Sequence, residues 1–184
     1  MQNAFGQGRI EMLDGTTRTE LVRLDHDAVY IGGCDSTYLY GIMRSQQGEE
    51  PTRWFRMERT TGQYETMPIP DTDHLCGVWN NQLVLFRERC SEPFASDKIS
   101  DYSLAGSYSS RFQNTSYDVV LYDPVTAQSR RLYSLNENSG SFTHAALYGD
   151  SLYLNTSIWE NPDDTPFNAI RLNLRNGEQT ALES

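Results

Sequence analysis

A seven-residue segment late in the chain, GDSLYLN at residues 149–155, constrains the fold more than any other part of the sequence. In ALYGDSLYL, apolar residues flank a Gly149-Asp150 pair, which adopts the positive φ angles of a tight turn more readily than most dipeptides do. The segment therefore predicts an antiparallel hairpin. The same pattern recurs without gaps in GVWNNQLVLF, where residues 79–85 align with residues 148–154, and more loosely in VYIGGCDSTYLYGI around Asp35-Ser36.

Each of these three hairpins is followed by a second hairpin with turn residues of its own. The second turns lie at Gly62, Ala127 and Gly177, and a further turn of this kind lies at Gly15 without a first hairpin before it. Successive turns are 47, 65 and 50 residues apart, and the longest interval contains a polar insertion. A period of roughly 40 to 50 residues with four short strands is typical of β-propeller blades.

The predicted fold class is therefore all-β, a β-propeller segment of about three and a half four-stranded blades in a single domain over residues 1–184. Residues 1–24 form the outer hairpin of a partial blade, 25–70 a blade, 71–135 a blade with a long loop insertion at 88–115, and 136–184 a blade. Open blade faces would leave apolar surface in water. We expect an incomplete propeller, completed by remaining blades or by a second copy in a homodimer.

Composition narrows the classes of partner. A net charge of −10 and a sequence pI near 4.7 argue against nucleic acid. No apolar run is long enough to span a membrane, and Met1–Leu13 lacks the pattern of a signal peptide. Cys34, Cys76 and Cys90 show no CxxC spacing, so neither a zinc site nor a disulfide framework is indicated, although a Cys76 to Cys90 bridge stays open in an oxidising compartment.

Three histidines precede the first strands of the predicted blades: His26, His74 and His144. That strand is innermost in a propeller, so the imidazoles could meet at one mouth of the central channel and bind a polar ligand or a metal. Their spacing from the hairpin turns is uneven, and side chains alternate along a strand. The uneven spacing favours structural histidines, and we assign no metal site.

The loops after the second strand of each blade, residues 44–52, 88–115 and 156–167, are expected on the same face as these histidines. Long loops on a rigid scaffold usually carry function. The second loop contains Tyr102 and Tyr108, and the third contains Trp159 beside the acidic residues Glu160, Asp163 and Asp164. An aromatic ring with planar polar partners suits a sugar, and the carboxylates could hold calcium. No other cofactor is predicted.

The segments YDPVT, GDSLYLN and YIGG resemble the repeats of bacterial β-propellers of the kelch, quinoprotein-like and TolB-like kind. The GDSLYL pattern is also similar to propeller domains of unknown function in Gram-positive surface proteins. This resemblance implies a bacterial envelope or secreted protein. Since the sequence has no GxSxG, HExxH or phosphate-loop motif, we expect a non-catalytic module that binds a protein or carbohydrate ligand. The alternative is a glycan-active enzyme with its site at the channel mouth.

Overall fold

The structure is a computed structural model and describes residues 8–14, 16–24, 28–44, 52–70, 73–90, 115–135, 141–157 and 168–182. These residues form fourteen strands and no helix, and all paired strands are antiparallel. The predicted all-β class is confirmed.

The strands form one two-stranded and three four-stranded sheets, each in sequence order. The N-terminal hairpin consists of β1 (Gly8–Asp14) and β2 (Thr17–Leu24). The first blade contains β3 (Ala28–Cys34), β4 (Tyr38–Arg44), β5 (Arg53–Glu58) and β6 (Tyr64–Met67). The second contains β7 (Asp73–Trp79), β8 (Gln82–Cys90), β9 (Thr115–Asp123) and β10 (Gln128–Leu135). The third contains β11 (Ser141–Tyr148), β12 (Ser151–Ser157), β13 (Asn168–Asn173) and β14 (Gln179–Leu182). The fold is a β-propeller segment of about three and a half blades, as predicted.

The chain divides into two compact units. The first comprises Met1–Asp71 with Pro124–Ala127, and it contains the N-terminal hairpin and the first blade. The second comprises Thr72–Asp123 and Gln128–Ser184, and it contains the second and third blades.

The tight hairpins of the second and third blades close at the positions that the sequence alignment predicts, at the pairs Trp79–Gln82 and Tyr148–Ser151. Asn80 and Asn81 both have positive φ angles, 48° and 61°, as a type I′ turn requires. In the third blade only Gly149 has a positive φ, 56°. The predicted hairpin is therefore present, and positive φ at the first central residue alone is the pattern of a type II′ turn.

The first-blade turn is longer and is closed by a side chain. The amide of Asp35 donates to the Tyr38 carbonyl at 3.0 Å. Its Oδ1 accepts from the amides of Thr37 and Tyr38, each at 2.7 Å. Asp35 thus satisfies the backbone donors of the loop locally, as aspartate commonly does in turns.

One backbone contact recurs in both units. In β2 and in β10 a single extra residue bulges out of the pairing, Leu21 and Leu132 respectively. A Cβ placed on Gly62 would collide with the Leu21 carbonyl oxygen, and one on Gly177 would lie 3.2 Å from the Leu132 carbonyl oxygen. Both glycines also have positive φ, 71° and 76°. Gly62 and Gly177 lie where the turn between the third and fourth strands meets the preceding sheet. At each of them glycine is favoured for two reasons, the positive φ and the nearby carbonyl oxygen.

Each unit has its own hydrophobic core between two sheets. The core of the first unit is built from Ile10, Met43, Phe55 and Met57, with Leu21 and Val22 packed against it. The core of the second unit is aliphatic and contains the buried residues Val84, Val119, Leu121, Leu152, Leu154, Leu172 and Leu174. Since side chains alternate along a strand, one face of each contributing strand supplies these residues and the other face points away.

Candidate binding edge

The long connections of the second and third blades leave from one edge of each sheet, which we call the loop edge. In the second blade β8 ends at Cys90 and β9 begins at Thr115, and these two residues are paired. In the third blade Thr156, near the end of β12, is paired with Asn168, the first residue of β13. Residues 91–114 and 158–167 therefore depart and return at adjacent backbone positions.

His74 and His144 lie close to the loop edge, on the first strands of these two blades. His74 is paired with Phe86, four residues after Gln82, and His144 is paired with Asn155, four residues after Ser151. The two histidines thus occupy corresponding rows. Their unequal distance from the turns in sequence is absorbed by a bulge in β7, between Leu75 and Gly77. The side chain of His74 is exposed.

The corresponding row of the first blade holds Tyr30, which is paired with Ile42 and is 55% exposed. His26 lies outside the described residues. The structure therefore brings two of the three predicted histidines to equivalent backbone positions, and places a tyrosine at the third.

A row of charged residues crosses the second blade next to the loop edge. Asp73, Arg87, Asp118 and Ser134 are successive cross-strand partners on β7, β8, β9 and β10. Arg87 donates through Nε and Nη2 to Asp73 Oδ2, at 3.0 and 2.8 Å. Arg89 pairs with Asp118, with Nε 2.8 Å from Oδ2 and Nη2 2.9 Å from Oδ1.

The carboxylates of this row are buried, while the arginines reach towards solvent. The Asp73 side chain is 0% exposed and that of Asp118 is 5%, against 26% for Arg87 and 46% for Arg89. Ser134 Oγ donates to Asp118 Oδ1 at 2.6 Å and is the third donor to this carboxylate. Buried carboxylates are tolerated when bidentate guanidinium contacts satisfy them. The row therefore fixes the strand ends from which residues 91–114 depart.

This row was not predicted from the sequence, because the predicted loop insertion began at residue 88 and only Arg87 was placed on a strand. In the structure β8 continues to Cys90, so Arg87 and Arg89 lie two residues apart on one strand and share one face of the sheet. Their aspartate partners lie on β7 and β9, so the ion pairs could be predicted only from the register of those two strands. That register depends on the β7 bulge and on the length of the 91–114 connection, neither of which residue types alone determine.

A second polar cluster lies at the opposite edge of the second and third blades. Trp79 Nε1 donates to Asp150 Oδ1 at 2.9 Å, and Arg175 Nε donates to Asp150 Oδ2 at 2.8 Å. The Arg175 guanidinium and the Trp79 indole hold the pKa of Asp150 below its usual value. The Asp150 side chain, which the sequence assigned only to a turn, thus joins the turns of two blades.

In the first unit, Asp35 plays a similar part within a single blade. Tyr40, which is buried, donates its hydroxyl proton to Asp35 Oδ2 at 2.7 Å. Burial opposes ionisation of Asp35, but the hydrogen bonds from Tyr40 and from the turn amides outweigh it and lower the pKa. Burial and the hydrogen bond to Asp35 raise the pKa of Tyr40. Asp35 is therefore held ionised and Tyr40 protonated, and both side chains stabilise the turn.

The cysteines do not form the bridge left open by the sequence. Cys76 is the extra residue of the β7 bulge beside Val84, and Cys90 lies six residues beyond Val84 on β8. At about 3.3 Å per residue the two backbones are roughly 20 Å apart, far beyond disulfide reach. Cys34 and Cys76 are free thiols. Burial raises the pKa of the Cys76 thiol to about 12, which makes it a poor nucleophile.

The remaining predicted ligand-binding residues lie outside the described residues: Tyr102, Tyr108, Trp159, Glu160, Asp163 and Asp164. Within the described ranges, no cluster of three or more histidine, cysteine or acidic side chains has the arrangement of a metal site. The same part of the chain contains no helix capable of crossing a membrane.

Comparison with known proteins yields a likeness of fold. No family model matches the chain, and no curated protein matches it. Among solved structures, the chain is similar to a variant of the AtxE2 isopeptidase with Astexin3-dC4 bound, at a TM-score of 0.54 and 10% identity. The match covers 82% of this chain and 20% of that one, so the chain spans about a fifth of the isopeptidase's length.

Proposed function

We propose that the chain is a non-catalytic binding or protein-interaction module of a bacterial envelope or secreted protein, and that its ligand is held at the loop edge. The observation that supports this best is the charged row of the second blade. Two bidentate arginine–aspartate pairs lie beside the strand ends that flank residues 91–114. A rigid base of this kind reduces the entropy lost when a loop binds a ligand.

The composition of the two connections supports a protein or carbohydrate ligand. Residues 91–114 include Tyr102 and Tyr108, and residues 158–167 include Trp159 and three carboxylates. Tyrosine and tryptophan supply large contact areas at low entropic cost, and carboxylates accept hydrogen bonds from hydroxyl or amide groups. The carboxylates are also the groups that would hold calcium. Resemblance of the repeats to bacterial surface propellers supports the proposed location.

Replacement of residues 91–114 by Asn-Gly tests the proposal. Because Cys90 and Thr115 are already paired, a two-residue turn can close β8 and β9 without moving the sheet. The probes are a glycan array and a phage-displayed random-peptide library, each exposed to the full chain. We expect ligands selected by the wild-type protein to bind the replaced variant at least about tenfold more weakly, at unchanged thermal stability.

Two further variants sharpen this experiment. Trp159→Ala should weaken binding at an unchanged melting temperature if Trp159 contacts the ligand, whereas an equal loss of stability would assign it a packing role. Asn81→Gly, in the turn at the opposite edge, is the matched control and should bind normally. Turnover of any arrayed glycan, or full binding after replacement of both connections, would contradict the proposal.

A further inference from the structure

The sheet of the third blade has one buried face and one face open to solvent. Leu172 lies in the core of the second unit, so Arg171, directly before it, points the other way and is exposed. Cross-strand pairing places Tyr153 beside Arg171 on this second face. Tyr148 lies on the same face and is 80% exposed. We call this surface the open face and define it by four side chains: Tyr148, Tyr153, Arg171 and Leu182.

Arg171 has a counterpart in the first blade, Arg56. Each arginine lies six residues before the turn glycine of its blade, and each is paired with a tyrosine of the second strand. The first residue of that strand holds the guanidinium in both blades. Arg56 lies over the Tyr38 ring, 5.1 Å from its centroid, and Arg171 Nε donates to Ser151 Oγ at 2.9 Å. The two arginines thus occupy the same place in their sheets.

In the first unit, Arg56 binds a turn that comes from the next repeat. Its Nη1 donates to the Pro124 carbonyl oxygen at 3.0 Å, and Pro124 lies in the turn between β9 and β10, which belongs to this unit. Its Nε pairs with Glu65 on the fourth strand of its own blade. The Arg56 side chain is only 17% exposed. The guanidinium therefore joins its sheet to a turn of the repeat that follows in sequence.

Near the first turn of the blade, Trp79 makes a comparable contact within the second unit. Trp79 Nε1 donates to Asp150 Oδ1 at 2.9 Å, and Asp150 lies in the first turn of the next sheet. In the repeat alignment Trp79 corresponds to Tyr148. The positions of Arg171 and Tyr148 are thus positions at which an earlier blade binds a turn of the following repeat.

In the third blade the same two positions face solvent. Arg171 is paired on the fourth strand with Thr180, which carries no charge. Within the described ranges Ser151 is the hydrogen-bond partner of Arg171, and neither a carboxylate nor a backbone carbonyl takes the places that Glu65 and Pro124 have at Arg56. The open face therefore has the side chains of a contact between successive repeats, exposed to water.

We propose that the open face binds a further four-stranded sheet of the same repeat, and that the turn between the third and fourth strands of that sheet supplies a backbone carbonyl to Arg171. Tyr148 then meets the first turn of the added sheet, as Trp79 meets Asp150. Burial of the tyrosine rings and of Leu182 removes apolar surface from water and stabilises the contact. A sheet without the accepting turn would bury the guanidinium without a hydrogen-bond partner, so Arg171 selects for a repeat of this kind.

Extension of the full chain by a copy of its own second blade tests this inference. Met67 and Leu182 end corresponding fourth strands, so a copy of residues 68–135 is added directly after Leu182. Nitration of Tyr148 by tetranitromethane, followed by mass spectrometry, measures the exposure of the open face. We expect nitration to slow at least about tenfold, because only the undocked fraction reacts. A Gly-Ser extension of equal length is the control and should leave the rate unchanged.

Arg171→Ala in the extended chain should raise the nitration rate about tenfold, since the contact loses a hydrogen bond from a charged donor. Arg131→Ala in the original second blade, at an exposed site on β10, is the matched control and should not change the rate. Circular dichroism reports whether the added blade folds. An added blade that stays unfolded, nitration of Tyr148 at the wild-type rate, or no effect of Arg171→Ala would overturn the inference.

Sedimentation equilibrium of the unextended chain tests the competing occupant, a second copy of this chain. We expect the chain to remain a monomer and Arg171→Glu to leave its mass unchanged. A dimer that Arg171→Glu dissociates would assign the open face to a second copy and would also overturn the inference. The loop edge takes no part in these measurements, so their outcome does not depend on the proposed ligand site.

Discussion

The sheet-to-sheet contact of the first unit and that of the second unit share a backbone contact but differ in their side chains. In both, a bulged leucine, Leu21 or Leu132, presents its carbonyl to a glycine turn of the following sheet. The side chains between the sheets are mainly methionine and phenylalanine in the first unit and leucine and valine in the second. The repeat is thus conserved within the chain as a backbone geometry, and the core composition is free to vary around it.

Truncation of a core side chain should have the largest effect on the free energy of unfolding in either unit. Met57 and Leu172 occupy corresponding positions, since Met57 is paired with Leu39 and Leu172 with Leu152, and both are 0% exposed. Met57→Ala and Leu172→Ala should each lower the free energy of unfolding by about 2–5 kcal/mol, because each leaves a cavity. Urea denaturation followed by circular dichroism measures both.

The matched controls are the reciprocal exchanges Met57→Leu and Leu172→Met. These conserve volume and should each cost less than about 1.5 kcal/mol. If an exchange cost as much as the alanine variant of the same residue, the two cores would not be interchangeable, and the idea that only backbone geometry is shared between the units would fail.

Substitution of the two turn glycines should have the next largest effect on the free energy of unfolding. Gly62→Ala and Gly177→Ala each force a positive φ on a residue with a Cβ and push that Cβ towards a carbonyl oxygen. We expect a loss of about 1–3 kcal/mol in the free energy of unfolding, larger for Gly62 because its Cβ would collide with the Leu21 carbonyl. Thermal and urea unfolding report it.

Ala127 provides the control for this prediction within the same chain. It occupies the corresponding turn of the second blade and has a φ of 56°, yet it is alanine. The preceding fourth strand, β6, has no bulge in its described pairing. Ala127→Gly should therefore change stability by no more than about 1 kcal/mol. A large loss here would show that the turns differ for a reason other than the bulged carbonyl.

The turns of this fold could be predicted from the sequence, but the bulges could not. Turn chemistry at Asn80-Asn81, Gly149-Asp150, Gly62 and Gly177 located the hairpins, because backbone conformation at a turn depends on a few residue types. The bulges at Leu21, Cys76 and Leu132 went unpredicted, since ordinary residues occupy them and no local preference marks them.

The candidate site depended on those unpredicted features. The bulge in β7 decides that His74 shares a row with His144, and the register of β8 with β9 decides that Arg87 and Asp118 are neighbours. Both are properties of pairing between distant segments, which a single sequence records weakly. The loop edge itself was predictable, because it follows from the order of strands in a blade.

The smallest expected effect concerns the polar link of the second unit, Asp150 with Trp79 and Arg175. The pKa of Asp150 is lower in the folded chain than its ordinary value of 3.8, chiefly through the Arg175 hydrogen bond. The folded state therefore binds fewer protons than the unfolded state around this pH. The contribution of Asp150 is fully present above pH 3.8 and is lost as the pH falls through the folded pKa.

Melting temperatures of the wild-type chain and of Asp150→Asn between pH 7 and pH 2 measure this contribution. The wild type should melt slightly higher at pH 7, and the difference should shrink below pH 3.8, because protonated Asp150 and asparagine are both uncharged. The first unit supplies the contrast, since Tyr40 rather than an arginine is the side-chain donor to Asp35. A difference that stays constant down to pH 2 would mean that the Asp150 side chain acts through shape and hydrogen bonding alone, and that its charge contributes nothing to joining the two blades.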